Sequence, residues 1–464
     1  MDVYSGFQDT RIVVAGLGYV GLTLAVAMSE VGFRVHGVEV RDEVLEKLDK
    51  KLPHFKEPGL DERLKLVIER GRFSFSKTLA EPCSASVFII TVGTPIDVER
   101  RVRLDMIQNA TRQIASVIEE DALVILRSTV KVGTARNVVA PILDRMGKRY
   151  ELAVCPERTL EGRALEELRA IPQVVGADDG RTVSRAAALF SFLTPTIVRV
   201  SPLEAAELIK LVDNTYRDVT FAFGNEVARL CNSIGVNARE VIKASGLSYD
   251  RTNVAYPGPV GGPCLEKDPY ILAESVRPLG LQVPLIQAAR WINEIQPQEV
   301  VDFLSDFVKA TPGFSETPTI SLLGLAFKGR PETDDLRGTM ARPVLAALRK
   351  AFPTAKFIGF DAVVDPKSIQ DMRLTPALTI EGALQDADLA IFLNNHPLFA
   401  SQKVELLCER MARPAVLYDF WGQHNVDRKS LPEGIAYISL GDHRNPILGE
   451  ASTMTLSLPV GKSV

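Results

Sequence analysis

The feature that most constrains this chain is a glycine cluster set between an apolar run and a helix-like stretch. Arg11-Ile-Val-Val-Ala15 has the character of a buried parallel strand, Gly16-Leu-Gly18-Tyr19-Val20-Gly21 follows at once, and a helical pattern runs from about Val20 to Val31. In that setting each glycine has a purpose. Gly16 allows a tight turn, Gly18 lets a pyrophosphate approach the backbone, and Gly21 lets the helix pack close while its N-terminal N–H groups face the phosphate. The cluster alone is a weak signal, and a structural turn is the bland alternative. Here the next strand-like run, Phe33 to Glu39, ends on an acid able to bond ribose hydroxyls. Glu39 repels a 2′-phosphate and so favours NAD. Arg41 is of the type that accommodates that phosphate, so the preference is for NAD without excluding the alternative.

The strand–helix alternation continues. Strand candidates are Ser86–Val92, Ala122–Ser128, Leu152–Cys155 and Thr196–Val200, implying a doubly wound parallel sheet over residues 1–201. Past Ser201-Pro202 the pattern turns helical, with Ser201 the expected N-cap and Glu204 its capping-box acid, in a long helix from Leu203 to about Ile234. A Gly/Pro-rich loop from about Tyr256 to Pro269 interrupts the helices, which resume to about Val308, so residues 202–311 read as all-helical. After the linker-like Thr311–Pro318 a second strand–helix series begins, with strands at 319–324, 356–361, 388–393 and 415–419. The expected architecture is α/β: two Rossmann-like doubly wound parallel-sheet domains, 1–201 and 312–450, joined by a central helical domain with a long helix, and a tail at 451–464.

Composition narrows the function classes. Among 464 residues, 54 Lys and Arg against 58 Asp and Glu leave a net charge of −4, so no broad basic surface for nucleic acid or lipid is expected. No apolar run approaches the ~18 residues of a spanning helix. The N-terminus lacks the basic-then-apolar pattern of a signal peptide. Five scattered Cys without a CxxC pair suggest neither disulfides nor zinc, and the five His are also dispersed, so a cytoplasmic protein without a metal is expected.

The second chemical signal is Gly258-Pro-Val-Gly261-Gly262-Pro-Cys264-Leu-Glu-Lys267-Asp268. The spacing predicts a helix opening at Cys264, whose N-terminus, with Lys267, would lower the thiol pKa and set Asp268 on the same face. A buried, inert Cys is the bland alternative, and it is the reading for Cys83, Cys155, Cys231 and Cys408. On the long helix, Lys210 and Asn214 are i,i+4 neighbours, so both donors face one side; a solvated lysine is the alternative. Cys155-Pro-Glu157-Arg-Thr-Leu-Glu161 and Ser128-Thr129 each end a strand at the edge where α/β sites form.

Taken together, GLGYVGL, VGTP, RSTV, CPERTLEG, ELIKLVDN, GPVGGPCLEKD and GLAFKGRPETDDLRG make the chain resemble the UDP-glucose/GDP-mannose dehydrogenase family from about Thr10 to His443. The PERTLEG form is most similar to the branch that oxidises UDP-N-acetylhexosamines (mannosamine or glucosamine). The resemblance implies NAD-dependent, four-electron oxidation of a C6 hydroxymethyl group to a carboxylate through a cysteine thioester. It implies Cys264 as nucleophile, Asp268 polarising a water or helping the base, Lys210 and Asn214 holding the oxyanion, and Thr129 and Glu157 positioning or activating water. Cofactor contacts would come from Gly16, Gly18, Tyr19, Val20, Gly21, Glu39, Arg41, Thr94, Thr129, Glu161, Lys267 and Arg337. Substrate contacts would come from Glu157, Glu161, Lys210, Asn214, Gly261, Lys328 and, lent by a neighbouring subunit, Arg251. Trp421 stands where several relatives carry a basic residue. A UDP-sugar partner and a homodimer are expected, without nucleic acid or membrane. UDP-glucose or GDP-mannose oxidation, a two-electron dehydrogenase of similar architecture, and an NAD-binding scaffold without turnover remain the alternatives.

Overall fold

Runs such as Val87-Phe-Ile-Ile90 and Ala122-Leu-Val-Ile-Leu126 are buried at every position, as strands covered on both faces must be. A computed structural model describes residues 7–80 and 83–444. The chain divides into two compact units, Met1–Thr215 with Lys267–Val283 and Tyr216–Glu266 with Pro284–Val464. The expected domain end at 450 and the tail at 451–464 lie outside the described residues.

The first unit holds β1 (Arg11–Ala15), β2 (Arg34–Val38), β3 (Phe73–Ser76), β4 (Val87–Ile90), β5 (Ala122–Leu126), β6 (Tyr150–Val154), β7 (Gln173–Gly176) and β8 (Ile197–Val200). Their order is β3-β2-β1-β4-β5-β6-β7-β8, with the doubly wound reversal between β1 and β4. One pairing departs from the expected parallel sheet: β7 meets β6 antiparallel at Val154 and Gly176. The intervening helix, Ala164–Ala170, has seven residues. β7 thus re-enters the sheet from the edge at which β6 ends.

The second unit holds β9 (Thr319–Leu323), β10 (Lys356–Phe360), β11 (Thr375–Pro376), β12 (Leu389–Phe392), β13 (Ala415–Asp419) and β14 (Ile435–Ser439). The order β11-β10-β9-β12-β13-β14 is wholly parallel and repeats the doubly wound pattern. Strands β3, β7, β11 and β14 were not among those expected from sequence.

The long helix spans Leu203–Ile234, as its apolar spacing required. Its start differs from the capping box read in the sequence. Asp178 accepts the N–H of Leu203 at 3.4 Å, and Glu204 is drawn off by Arg136 at 2.6 Å. The helix Pro284–Lys309 carries Pro297 inside it. Among the described residues, no helix is long and apolar enough to cross a membrane, and no His/Cys/Asp/Glu group could hold a metal ion.

Candidate active site

The glycine turn after β1 has the shape a dinucleotide needs. Gly16 has φ +95°, and a Cβ there would meet Val92 at 2.9 Å; at Gly21 it would meet the Gly16 carbonyl oxygen at 1.8 Å. At Gly18 a Cβ would meet nothing within 4 Å, leaving the backbone open to a ligand. The helix Tyr19–Glu30 has no acid in its first turn, so its positive end is not neutralised there. Val20 lies in that same first turn. Glu39, 4% exposed, accepts the N–H of Leu17 at 3.1 Å. Arg41 grips it through Nε at 3.0 Å and Nη2 at 2.9 Å. Burial pushes the Glu39 carboxyl up, but Arg41 and the N–H donors hold it below the usual range. Glu39 is therefore held as an ionised acceptor beside the glycine turn. Thr94 is buried, and its hydroxyl donates to the carbonyl of Thr129, joining the loops after β4 and β5.

Behind Thr129, Arg127 is fully buried and organises the loop after β6. Its Nη1 donates to the Cys155 carbonyl at 3.0 Å and to Gln173 at 2.8 Å, and its Nη2 to Glu157 Oε2 at 2.5 Å. Glu157 Oε1 accepts the N–H groups of Arg158 and Thr159 at 2.8 and 2.9 Å. Burial alone would push the Glu157 carboxyl up. Arg127, those N–H groups and, further off, the Lys210 ammonium instead keep its carboxyl below the usual range. Glu161, half-buried, follows on the same loop.

The long helix presents Lys210, half-buried, and Asn214, buried. Asn214 Nδ2 donates to Asp268 Oδ2 at 2.6 Å, and Lys267 Nζ to Asp268 Oδ1 at 2.7 Å. Asp268 is fully buried, with an amide on one carboxyl oxygen and an ammonium on the other.

Cys264, in the second unit, is the only exposed cysteine of the five; Cys155, Cys231 and Cys408 are buried and Cys83 half-buried. The sequence reading of its surroundings needs one correction. The helix begins at Asp268, not at Cys264, and residues 263–267 form a turn. The reason is Pro269. A helix opening at Cys264 would need an N–H from residue 269 to the Leu265 carbonyl, and proline has none. The helix-terminus argument for a lowered Cys264 pKa, and the shared helical face with Asp268, therefore do not hold. Gly261 is a true packing requirement: a Cβ there would meet the Gly338 carbonyl oxygen at 2.3 Å. Gly262 N–H also donates to that oxygen, at 2.7 Å, locking the cysteine loop to the 327–340 loop. On that loop the Lys328 ammonium lies 5.2 Å from the Phe327 ring centre. Arg337 is exposed and bidentate with Asp335, at 3.0 and 2.6 Å. Arg251 is exposed, 4.8 Å above the Tyr249 ring.

Two groups escaped the sequence reading. Arg127 stood inside the quoted RSTV motif, but its partner lies thirty residues on. Glu57, buried, accepts from the Tyr19 hydroxyl and from Gly162 N–H at 2.8 Å, tying the glycine-turn helix to the Glu157–Glu161 loop. Burial and this carboxylate both push the Tyr19 phenol far above its ordinary pKa, so Tyr19 acts as a donor.

Three domain models of the UDP-glucose/GDP-mannose dehydrogenase family match the chain: the NAD binding domain at residues 10–194, the central domain at 204–295 and the UDP binding domain at 321–425. The chain is 30% identical to UDP-N-acetyl-D-mannosamine dehydrogenase of Pyrococcus horikoshii, over 93% of this chain and 99% of that protein. It is also 30% identical to NDP-N-acetyl-D-galactosaminuronic acid dehydrogenase of Ralstonia solanacearum, over 89% and 96%. The solved structure of the Pyrococcus horikoshii enzyme superposes with a TM-score of 0.84 at 29% identity, covering 94% of this chain and all of that one. A UDP-glucose dehydrogenase from Pyrobaculum islandicum superposes at 0.81 with 27% identity, covering 94% and 98%.

Proposed function

The chain belongs to the UDP-glucose/GDP-mannose dehydrogenase family, and from that premise we propose that it oxidises the C6 hydroxymethyl of a UDP-N-acetylhexosamine, with the mannosamine epimer favoured, to the carboxylate. It is an NAD-dependent oxidoreductase acting on a nucleotide sugar. Its relatives named for N-acetylated sugars support the choice of substrate.

NAD supplies the hydride acceptor, one molecule for each two-electron step. The rest is done by the chain. The first oxidation turns the alcohol into an aldehyde, releasing a proton from the hydroxyl. An aldehyde has no second hydride to give until a nucleophile adds to it. The Cys264 sulfur adds to the carbonyl carbon, and loss of the second hydride and a proton leaves a thioester. Water then cleaves the C–S bond, returning the thiol and releasing the acid. Lys210 and Asn214 donate to the oxygen that carries negative charge in these steps, an effect worth about 3–4 kcal/mol per donor. Glu157, as base, and Thr129 position or activate the attacking water. Asp268 steadies Asn214 and Lys267. Lys328 and Arg251 serve the sugar and its diphosphate, and Arg337 the dinucleotide.

The single observation that carries this reading is that Cys264, alone of five cysteines, is exposed, on a loop where the Gly338 carbonyl oxygen leaves no room for a Cβ at Gly261 and Gly262 has φ +93°. NADH absorbance with UDP-N-acetylmannosamine, UDP-N-acetylglucosamine, UDP-glucose and GDP-mannose tests it. The N-acetylated UDP-sugars should turn over fastest; a clear preference for UDP-glucose or GDP-mannose would overturn the substrate assignment, and no NADH with any would leave only a binding scaffold. The working form is a homodimer in this reading, supported by an exposed apolar stripe on the long helix.

A further inference from the structure

The loop that carries Cys264 is held from behind by polar groups that the reaction does not touch. Asp218 and Asn225 stand two turns apart on the long helix. Arg290, Asn293 and Gln296 follow at three-residue spacing on the helix Pro284–Lys309. All five are at least 96% buried. Arg290 Nη1 donates to Asp218 Oδ1 at 2.6 Å and to the carbonyl of Leu265, next to Cys264, at 3.1 Å. Asn293 Nδ2 donates to Asp218 Oδ1 at 2.9 Å, and Asn225 Nδ2 to Asn293 Oδ1 at 3.0 Å. Asn225 Oδ1 accepts the N–H of Gly258 at 3.0 Å, and Gln296 Nε2 donates to the Gly258 carbonyl at 3.3 Å. One connected network thus grips the loop at both ends, Gly258 and Leu265.

We propose that this network is a positioning device for the Cys264 thiol, with Arg290 its principal member and Asn225 and Gln296 its second anchor. Two arguments carry the assignment. A buried ion pair is a poor stability device, because well-packed apolar residues hold two helices together as well or better. What leucines cannot do is hold a loop carbonyl and amide at fixed points. The Leu265 carbonyl, moreover, lacks its helical donor because residue 269 is proline, and Arg290 fills that vacancy at the residue beside the nucleophile. Loosening that bond lets the turn at 263–267 shift, and a misplacement of about 1 Å at a reacting group costs on the order of 10²-fold in rate.

The role in turnover rests on the proposed thioester reaction, whereas the placement of the thiol can be read without it. The test uses the full-length enzyme with Arg290→Lys, Arg290→Gln and Gln296→Leu, and Glu299→Gln on the same helix but outside the network as control. Three quantities are read: the Cys264 alkylation rate by iodoacetamide across pH, located by peptide mapping; the rates of first and second hydride release in single turnover; and the melting temperature. The expected result is a several-fold change in Cys264 alkylation. The first hydride rate should stay within about threefold while the second falls roughly 10- to 100-fold. Arg290→Lys should recover part of the loss. A general structural role would slow both hydrides alike. Folded variants with control-like alkylation and second-step rates would overturn the inference. Should Arg290→Gln fail to fold, Arg290→Lys and Gln296→Leu, which keep the buried charge balanced, carry the same comparison. Altered alkylation with no nucleotide-sugar oxidation in the parent would defeat the proposed function and leave the positioning device standing.

Discussion

At the scale of single residues, the account turns on Cys264, Lys210, Glu157 and the groups behind them. Replacing Cys264 by Ser should stop oxidation at the aldehyde level or earlier, because an alkoxide is far harder to form than a thiolate. Acid produced at the parental rate would rule out the thioester. Lys210→Ala should lower kcat far more than it raises KM, since its donor meets charge that develops only during reaction. A change confined to KM would reassign it to ground-state binding. Arg127→Met should cost about 3–5 kcal/mol of stability by leaving the Glu157 carboxylate buried without its cation; a variant melting as the parent does would contradict the buried pair. His424 gives a pH signature. Burial disfavours its cation, but Asp419 at 3.0 Å on one ring nitrogen and the Phe399 carbonyl at 2.8 Å on the other raise its pKa overall. The folded state therefore binds this proton more tightly than the unfolded one. The stabilisation is full below about pH 6.5 and is lost as pH rises through the folded value. His424→Gln should flatten that part of the melting-temperature profile above pH 6.5, and an unchanged profile would show that the ring is neutral. Cys264, Glu39 and the Lys210–Asn214 pair could be named as candidates because each stands in a recognisable local motif. Arg127, Glu57 and Arg290 could not, because their partners lie 30, 38 and 72 residues away.

At the scale of elements, legibility followed length and pattern. The 32-residue helix Leu203–Ile234 was readable to its ends because its apolar spacing persists over nine turns. Strands β3 and β11, four and two residues long, carry too little pattern to stand out. The helix at Asp268 was misread because glycine, lysine and acid spacing suggested an earlier start, while one missing N–H at Pro269 decided the matter. The cysteine loop makes a sharper prediction. In Gly261→Ala the new methyl meets the Gly338 carbonyl oxygen, which belongs to backbone and cannot rotate away. Activity should fall at least tenfold while NAD binding, read by fluorescence titration, stays near the parental value. Parental turnover in this variant would show that the contact between the two loops is not needed.

At the scale of the whole molecule, the two doubly wound sheets were legible from the alternation of apolar runs and amphipathic stretches. The division of the chain into units that part within the long helix was not, because nothing local marks it. In the second unit, Tyr216, Phe223, Leu230 and Ile234 remain exposed along that helix, Phe223 by 55% and Leu230 by 57%. Val219 and Val227 are half-buried between them, completing an apolar stripe at spacings of three and four. Such a stripe is costly in water and suits a two-fold contact. The double variant Phe223→Glu, Leu230→Glu should be monomeric by light scattering and lose activity, because Arg251 would no longer reach a neighbouring subunit's substrate. A fully active monomer would remove both the contact and that role for Arg251. The central claim, a four-electron oxidation through Cys264, is tested most directly by counting NADH against nucleotide sugar consumed, with UDP-N-acetylmannosamine limiting and NAD in excess. The account requires two NADH per sugar and a uronic acid product in the parent, and no acid in Cys264→Ser. One NADH per sugar with an aldehyde or ketone product would contradict it.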